Sequence, residues 1–284
     1  MSLQFIMGNS GSGKSYCLYD TVVREAIENP DKNYLVIVPE QFTMQTQKDL
    51  CLAHPKGGIM NIDVLSFGRL AYRVFEEVGQ DARVVLDDEG KNLVLRKIAG
   101  ECEKDLKVFK GNLKKQGYIS EVKSVLSEFA QYGVDFERLD DFMKEVPPES
   151  YLHYKLDDIR TIYEKFEEYL SEKYITKEEM LDVLSDAVPY SDILKGSVVA
   201  MDGFTGFTPV QNRLIGELFS VCEKVMITVT MDGRENPYVY EHPYQIFALG
   251  KQMVTSLMKI AGEKKTEIEE PICLFERPVY RFRD

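Results

Sequence analysis

The stretch "MGNSGSGKSYC", residues 7–17, decides how the chain is read. Gly8, Asn9, Ser10, Gly11, Ser12, Gly13, Lys14 and Ser15 satisfy the spacing G-x-x-x-x-G-K-[ST] at every position. Each residue type answers a physical need. The glycines let backbone N–H groups turn inward around phosphate oxygens, and the following helix N-terminus adds a favourable potential for an anion. Lys14 neutralises the β- and γ-phosphates, and Ser15 can ligate Mg²⁺. Average residue usage makes a chance match roughly a one-in-a-hundred event for a chain of this length. The flanks agree with the motif. "LQFIM" at 3–7 reads as a buried parallel strand, and from Lys14 to about Glu28 a helical stripe carries Leu18, Val22 and Ala26. The plainer alternative is a glycine-rich turn with an exposed lysine, and the strand and helix on either side weigh against it.

Outward from the loop, strands and helices alternate. "YLVIV" at 34–38 reads as a second strand closed by Pro39, followed by a helix from about Gln41 to Leu52. "IMNIDVL" at 59–65 suggests a third strand, then a helix from about Phe67 to Val78. This alternation predicts an α/β domain with a parallel sheet. Residues 87–187 change character: "SEVKSVLSEFAQYG" and "YLHYKLDDIRTIYEKFEEYLSEKY" are charged and helix-periodic, and Pro147-Pro148 divides the segment. No strand is expected there, and its charge runs read as a solvated face. "SVVAMDGF" at 197–204 is a further strand ending in Asp202, with a helix from about Pro209 to Phe219 and a strand "VMITVTM" at 225–231. The expected organisation is an α/β domain formed by 1–86 and 188–284 and interrupted by an all-helical insertion at 87–187. The closing "PICLFERPVYRFRD" reads as the opening of another segment, so a longer native chain is expected.

Composition narrows the function. The chain has 284 residues, 44% hydrophobic and 29% charged, which suits a globular protein. No apolar run approaches the roughly 18 residues of a membrane span, and the N-terminus enters the motif at once, so no membrane contact and a cytoplasmic location are expected. The five cysteines are scattered with no C-x-x-C pair and read as reduced thiols, neither disulfides nor metal ligands. A net charge of −12 opposes a dedicated nucleic-acid binder, while leaving room for local DNA contact inside a larger complex. Asp202, at the end of its strand, suits a carboxylate that holds Mg²⁺ through water, and a turn-capping aspartate is the alternative. The next residue, Gly203, has no side chain to act as a base or orient water.

"MGNSGSGKS", "VIVPEQFTMQTQ" (36–47), "VLSFGRLAYRV" (64–74) and "MDGFTGFTPVQ" (201–211) together resemble the AddB family, whose members pair with AddA in bacterial AddAB helicase–nucleases. The resemblance covers the α/β segments well and the helical insertion by position alone. Among superfamily-1 helicases these blocks stand where motifs I, Ia, Ib and II stand. The resemblance therefore implies a P-loop NTPase-like parallel sheet, 1A-like, interrupted by a 1B-like helical domain. It implies ATP and Mg²⁺ as cofactors, AddA as partner in a heterodimer, and DNA as substrate during resection of double-strand breaks for recombinational repair. It further implies a region that holds the single strand and recognises the Chi sequence, with no working motor. The family's nuclease and iron–sulphur cysteines lie near the far C-terminus, so an iron–sulphur cluster is expected only in the full-length protein.

Within these blocks the DNA-contact candidates are Gln41, Thr43, Phe67, Arg69, Tyr72, Phe204 and Phe207. Aromatic rings at strand ends can stack on bases at about 1–3 kcal/mol each, and Arg69 can meet a phosphate or base edge. The alternative places Phe67 and Phe204 in the core beneath the sheet rim. The chain also departs from the motor pattern. Gly203 stands where a glutamate is usual, seven residues precede Gly8 so the upstream adenine-reading glutamine motif is missing, and "DGRENPYVYEHPYQ" (232–245) does not reproduce motif III. Adenine specificity thus follows from the resemblance alone, and weak or no ATPase is expected. A small-molecule phosphotransferase is the other function to weigh, but the residues after the loop offer no Asp-Arg pair to clamp a substrate. A true ATP-driven motor is opposed by Gly203.

Overall fold

Short runs that are apolar on consecutive residues need cover on both faces, and this chain meets that need with a parallel sheet between helices. The computed structural model describes residues 1–79, 83–113, 115–171 and 173–275. In chain order come β1 (Ser2–Gly8), α1 (Lys14–Glu28), β2 (Tyr34–Ile37), a 3₁₀ turn (Glu40–Phe42), α2 (Thr43–Ala53), β3 (Ile62–Leu65) and α3 (Phe67–Val78). Next are β4 (Val84–Leu86), α4 (Asp88–Glu101), α5 (Gln116–Tyr132), α6 (Phe136–Glu145), α7 (Tyr151–Leu170), β5 (Tyr174–Thr176) and α8 (Lys177–Ala187). Last are β6 (Val198–Met201), α9 (Pro209–Val221), β7 (Lys224–Thr230), α10 (Ala248–Glu263), β8 (Glu267–Ile268) and β9 (Ile272–Cys273). The chain divides into two compact units, Met1–Gln80 with Val183–Asp284, and Asp81–Asp182.

The first unit holds a seven-stranded sheet in the order β3-β2-β6-β7-β1-β8, with β9 also on β1. All of these pairings are parallel. The register aligns Leu65, Ile37 and Met201 across β3, β2 and β6, and aligns Gly8 with Thr230 across β1 and β7. Parallel strands in register send their following loops to one sheet edge. On one face Ile6, Val36, Ala200 and Met226 pack with Leu18 and Val22 of α1 and Leu50 of α2. On β7 the alternation turns Val229 to the other face, against Gly250 of α10. Among the described residues no helix is long and apolar enough to cross a membrane.

The second unit is built on α4, α5 and α7, whose core joins Leu95, Ile98, Val122, Leu126, Ile162 and Phe166. Side-chain caps start three of its helices, α4, α6 and α7: Asp87 accepts from Gly90 N–H, Asp135 from Arg138 N–H and Ser150 from His153 N–H. The expectation of an all-helical, strand-free insertion is corrected here. β5 lies within it and pairs in parallel with β4, Val84 opposite Tyr174 through Leu86 opposite Thr176. Three residues are too few to show a period of two between helical patterns. The reading of the charge runs as a solvated face also needs correction at named positions. Lys91 is buried and meets Glu178 at 2.7 Å. Asp158 is buried too: its Oδ1 accepts from Lys107 N–H at 2.8 Å, and its Oδ2 accepts from Val108 and Phe109 N–H at 2.7 and 2.8 Å. In the first unit, α10, β8 and β9 are elements that the sequence pattern does not announce. The further segment expected at the C-terminus lies, beyond 275, outside the described residues.

Two measurements probe the second unit. Asp158→Ala strands three backbone donors and is expected to cost about 3 kcal/mol in denaturant unfolding. Asp157→Ala, which breaks only the exposed pair with Lys107, should change stability by less than about 0.5 kcal/mol. The second concerns Glu167, whose carboxyl is pushed up to about 7 by burial and by the Glu179 carboxylate beside it. A carboxyl raised in the folded state binds a proton there that the unfolded chain has already released, so its contribution is full below the unfolded value and lost as pH rises through about 7. Stability should therefore fall between pH values of about 5 and 8, and Glu167→Gln should flatten that fall. An equal slope in the variant would assign the pH dependence elsewhere.

Candidate functional site

Gly8 closes β1 and Lys14 opens α1, so the residues between them form a tight loop at the carboxyl edge of the sheet. Gly11 and Gly13 take φ of 80° and 90°, a left-handed conformation that a side chain makes costly. Ser12 N–H donates to the Asn9 carbonyl at 3.1 Å and Cys17 N–H to the Gly13 carbonyl at 2.9 Å. No side chain caps α1 and no acidic residue occupies its first turn, so the protein itself does not neutralise the positive helix end. Any Cβ on Gly8 would collide with Ser12 Oγ, and that buried hydroxyl has no hydrogen-bond partner. An orphaned buried hydroxyl beside an uncapped helix N-terminus suits an acceptor-rich anion.

Lys14 bends back over this loop. It is buried, and its Nζ donates to the carbonyls of Gly8 at 3.1 Å and Asn9 at 2.8 Å. Burial holds its amine below the ordinary lysine range, and the Asp202 carboxylate works in the opposite direction. The orphaned Ser12 hydroxyl, the left-handed glycines and the lysine poised over the loop together fit a phosphate group. Ser15 is exposed on the first turn of α1.

Asp202, just past the end of β6, is a hub. It is buried, and its backbone N–H donates to the Ile37 carbonyl at 3.1 Å. Thr228 Oγ1–H donates to Oδ1 at 2.6 Å and the Tyr19 phenol donates to Oδ2 at 2.8 Å. Because the single phenolic proton goes to Asp202, Thr46 Oγ1 donates to the Tyr19 oxygen, 3.2 Å away. Burial, then the Asp202 charge, push the Tyr19 phenol well above its ordinary pKa. A carboxylate offers about four acceptor directions, so Asp202 keeps capacity for water on a divalent ion beside its two hydroxyl donors. The chemistry of the set, a carboxylate and a serine hydroxyl, fits Mg²⁺, which prefers oxygen and retains water. Among the described residues there is no cluster of three or more His, Cys, Asp or Glu that could hold a metal by itself.

The other sequence candidates lie in the turns and helices that follow β2, β3 and β6. Phe67 is buried and packs on Phe204 and Phe207 with centroids at 5.4 and 6.3 Å, while Phe204 and Phe207 are 5.1 Å apart. Thr43 is buried, its hydroxyl donating to the Glu40 carbonyl at 3.0 Å. Gln41, Arg69 and Tyr72 are exposed. Glu40 organises this group: its Oε2 accepts from Ser66 Oγ at 3.0 Å and its Oε1 lies 4.0 Å from Arg69 Nε. Sequence reasoning missed Tyr19, Thr46 and Thr228 around Asp202, and Glu40 beside Arg69. The one signal for Tyr19 was a polar ring set in the apolar stripe of α1.

Fold and loop define an α/β protein with a phosphate-type glycine loop at the edge of a parallel sheet. A family model described as ADDB, N-terminal, matches residues 5–284. A Lachnoclostridium phytofermentans protein, named as the B-type subunit of an ATP-dependent helicase/deoxyribonuclease, is 46% identical over 96% of this chain and 24% of its own length. Proteins of the same name from Clostridium tetani and Alkaliphilus metalliredigens are 34% and 35% identical, over 100% and 82% of this chain and 25% and 20% of their own lengths. The chain belongs to the AddB N-terminal family. It spans about a quarter of the length of these curated relatives.

The Asp202 hub yields a stability test. Tyr19→Phe removes a donor from the buried carboxylate and the acceptor of Thr46, and is expected to cost about 1–3 kcal/mol in thermal or denaturant unfolding. Thr228→Val should cost a similar amount, while Thr228→Ser should retain most of the stability.

Proposed function

We propose that this chain is the nucleotide-holding, helicase-like region of an AddB-type protein, one of the two components of an ATP-dependent helicase/deoxyribonuclease that processes DNA ends for recombinational repair. Family membership supports the place in such a complex, and the observation that carries the nucleotide role is the loop with Lys14 poised over it and Asp202 facing it. Residues 1–86 and 188–284 would form the 1A-like nucleotide domain, with 87–187 as its 1B-like insertion. The phosphotransferase alternative gains no support from the site or the relatives.

In this reading the bound nucleotide supplies a triphosphate anion accompanied by Mg²⁺. The residues Gly8, Asn9, Ser10, Gly11, Ser12, Gly13 and Ser15 present donors to it, and Lys14 supplies the neutralising charge. Ser15 and Asp202 would hold the ion, with Asp202 itself held by Tyr19 and Thr228. Gly203 then limits the chemistry. Its φ is 80°, so a side chain there meets a backbone cost of about 1–2 kcal/mol. Without a residue to orient water, the site holds nucleotide with little turnover. For single-stranded DNA, the exposed Gln41, Arg69 and Tyr72 would meet the strand, while Thr43, Phe67, Phe204 and Phe207 would shape the loops that present them. With AddA as the expected partner, this surface would read Chi on DNA that the partner delivers.

Titration calorimetry with Mg-ATP tests the reading. Lys14→Ala should weaken binding by about tenfold or more, from the loss of a charge-assisted contact to phosphate. Hydrolysis by the wild-type chain should stay near background, and Gly203→Glu should not restore it. Equal affinity in wild type and Lys14→Ala, or a turnover of several per second lost in Asp202→Ala, would overturn it.

A further inference from the structure

The second unit carries a cavity of its own. It has a volume of about 480 Å³ and is lined by Arg96 and Ala99 of α4, by Glu103 just past the end of that helix, and by Leu106, Phe109 and Leu113 on the way to α5. That is a usual size for a ligand pocket. Its floor is apolar, because Leu106, Phe109 and Leu113 are buried members of the unit's core. Its mouth stays open at two glycines. Gly100 and Gly111 also line the cavity, both are exposed, and a Cβ on either would meet nothing within 4 Å. Gly100 falls in the last turn of α4, where the helix by itself favours almost any residue with a side chain.

The connection from α4 to α5 is held in place and is rich in lysine. Asp158 accepts from the N–H groups of Lys107, Val108 and Phe109 at 2.8, 2.7 and 2.8 Å, and the Phe109 carbonyl accepts from Asn112 N–H at 2.9 Å. Residues 104–115, "KDLKVFKGNLKK", hold five lysines against one aspartate in a chain whose net charge is −12. With Leu106, Phe109 and Leu113 turned into the core, Lys104, Lys107, Lys110 and Lys115 are left exposed, and Lys114 lies outside the described residues. Lys107 is committed to Asp157 and to the Tyr154 ring, and Lys115 to the Tyr118 ring. Among the described residues, Arg96, Lys104 and Lys110 make no ion pair, while Glu103, the one carboxylate of the lining, already interacts within the chain. The cavity thus combines an apolar floor with three uncommitted cations on or beside its lining. Phosphates would use the cations and leave the floor empty. A peptide with carboxylates around a large apolar side chain uses both, and a loop already held in place costs less to bind.

We propose that this cavity is a docking site for an acidic peptide segment of a partner protein. An apolar side chain of the peptide sits on Leu106, Phe109 and Leu113, and its carboxylates meet Arg96, Lys104 and Lys110. The proposal is independent of the nucleotide reading and gives the inserted unit a protein-recruiting surface. A buried apolar anchor carries most of the binding energy at such a site, while the cations at its edge govern approach and salt dependence.

The test measures fluorescence anisotropy of a labelled peptide, in which a Leu-Phe pair stands among aspartates, as this chain is added. One control peptide replaces the pair by Ser-Ser, another replaces the aspartates by asparagines, and a labelled DNA duplex serves as a rival polyanion. Each control peptide should bind about tenfold more weakly than the parent, or worse. Arg96→Gln combined with Lys104→Gln and Lys110→Gln should weaken the parent peptide by about tenfold. Gly100→Gln narrows the mouth and suits the helix, so it should weaken the parent by about fivefold or more without lowering the melting temperature. Lys144→Gln combined with Lys173→Gln and Lys177→Gln removes the same charge elsewhere on the unit and should leave affinity within about twofold. No binding of the parent peptide, equal binding of either control, or undiminished affinity in the charge or Gly100 variant would overturn the proposal. An equal loss in the two triple variants would do so as well, by reducing the effect to net charge. So would a duplex bound more tightly than the peptide and lost in the Arg96 triple variant, which would make these cations a phosphate contact.

Discussion

The parallel pairing of β1 with β7 is the constraint on which the rest of the first unit depends. It joins Ser2–Gly8 to Lys224–Thr230, segments at opposite ends of the sequence, and it fixes the position of the glycine loop against everything else. Through β7 the register passes to β6 and then β2, so the ends of these strands and of β1 send their loops to one edge. The whole of Asp81–Asp182 lies inside the chain loop that this pairing closes. Closing a long loop costs little more than closing a moderate one, because the entropy grows only with the logarithm of length. A separately cored insertion, with Ile98, Leu126 and Ile162 at its centre, is therefore tolerated between β3 and β6 without loosening the sheet.

At that edge the electrostatics are local. The chain carries a net charge of −12, yet the helix that follows the glycine loop lacks an acidic residue in its first turn and carries a buried lysine. Charges more than a screening length away, about 8–10 Å at ordinary ionic strength, contribute little at such a spot. The near charge that matters is Asp202, and it is shielded in its own way: Tyr19 and Thr228 each donate to it. Two hydroxyl donors stabilise a buried carboxylate without adding charge, so Lys14 is not needed to neutralise it and stays bonded to the Gly8 and Asn9 carbonyls. The same hub ties α1 to β6, to β7 and, through Thr46, to α2.

Much of this was legible in the sequence, and the reasons the remainder was not are physical. β1, α1, β2, α3, β6, α9 and β7 announce themselves through apolar runs or a 3.6-residue stripe bounded by Gly, Asn-Pro or Pro. The glycine loop is legible because its chemistry requires fixed residues at fixed spacing. β8 and β9 are two residues each and exist only as partners of β1. β5 is three residues long and depends on β4, from which the sequence separates it by four helices. Asp158 and Lys91 look like members of charge runs, and only the tertiary fold brings backbone donors to one and Glu178 to the other. Tyr19 is almost hidden for the same reason: locally it shows only a polar ring in the apolar stripe of α1, and its partners Asp202 and Thr46 come from just past β6 and from α2.

Gly203 shows how a backbone conformation limits which side chain a turn can carry. The chain must turn sharply after β6, because Asp202 N–H is still held by the Ile37 carbonyl while the cluster of Phe204 and Phe207 is already packing on Phe67. The turn is made at φ 80°, and glycine is the residue that reaches it without strain. A glutamate there would have to carry the strain of a left-handed residue as well as aim its carboxylate, so the packing of the aromatic cluster and the placing of a water-orienting side chain compete for one residue. In this chain the cluster prevails. The turn after Asp202 is thereby committed to shaping the neighbouring loops, and a nucleotide held beside it would serve to brace the edge of the sheet more than to drive a cycle.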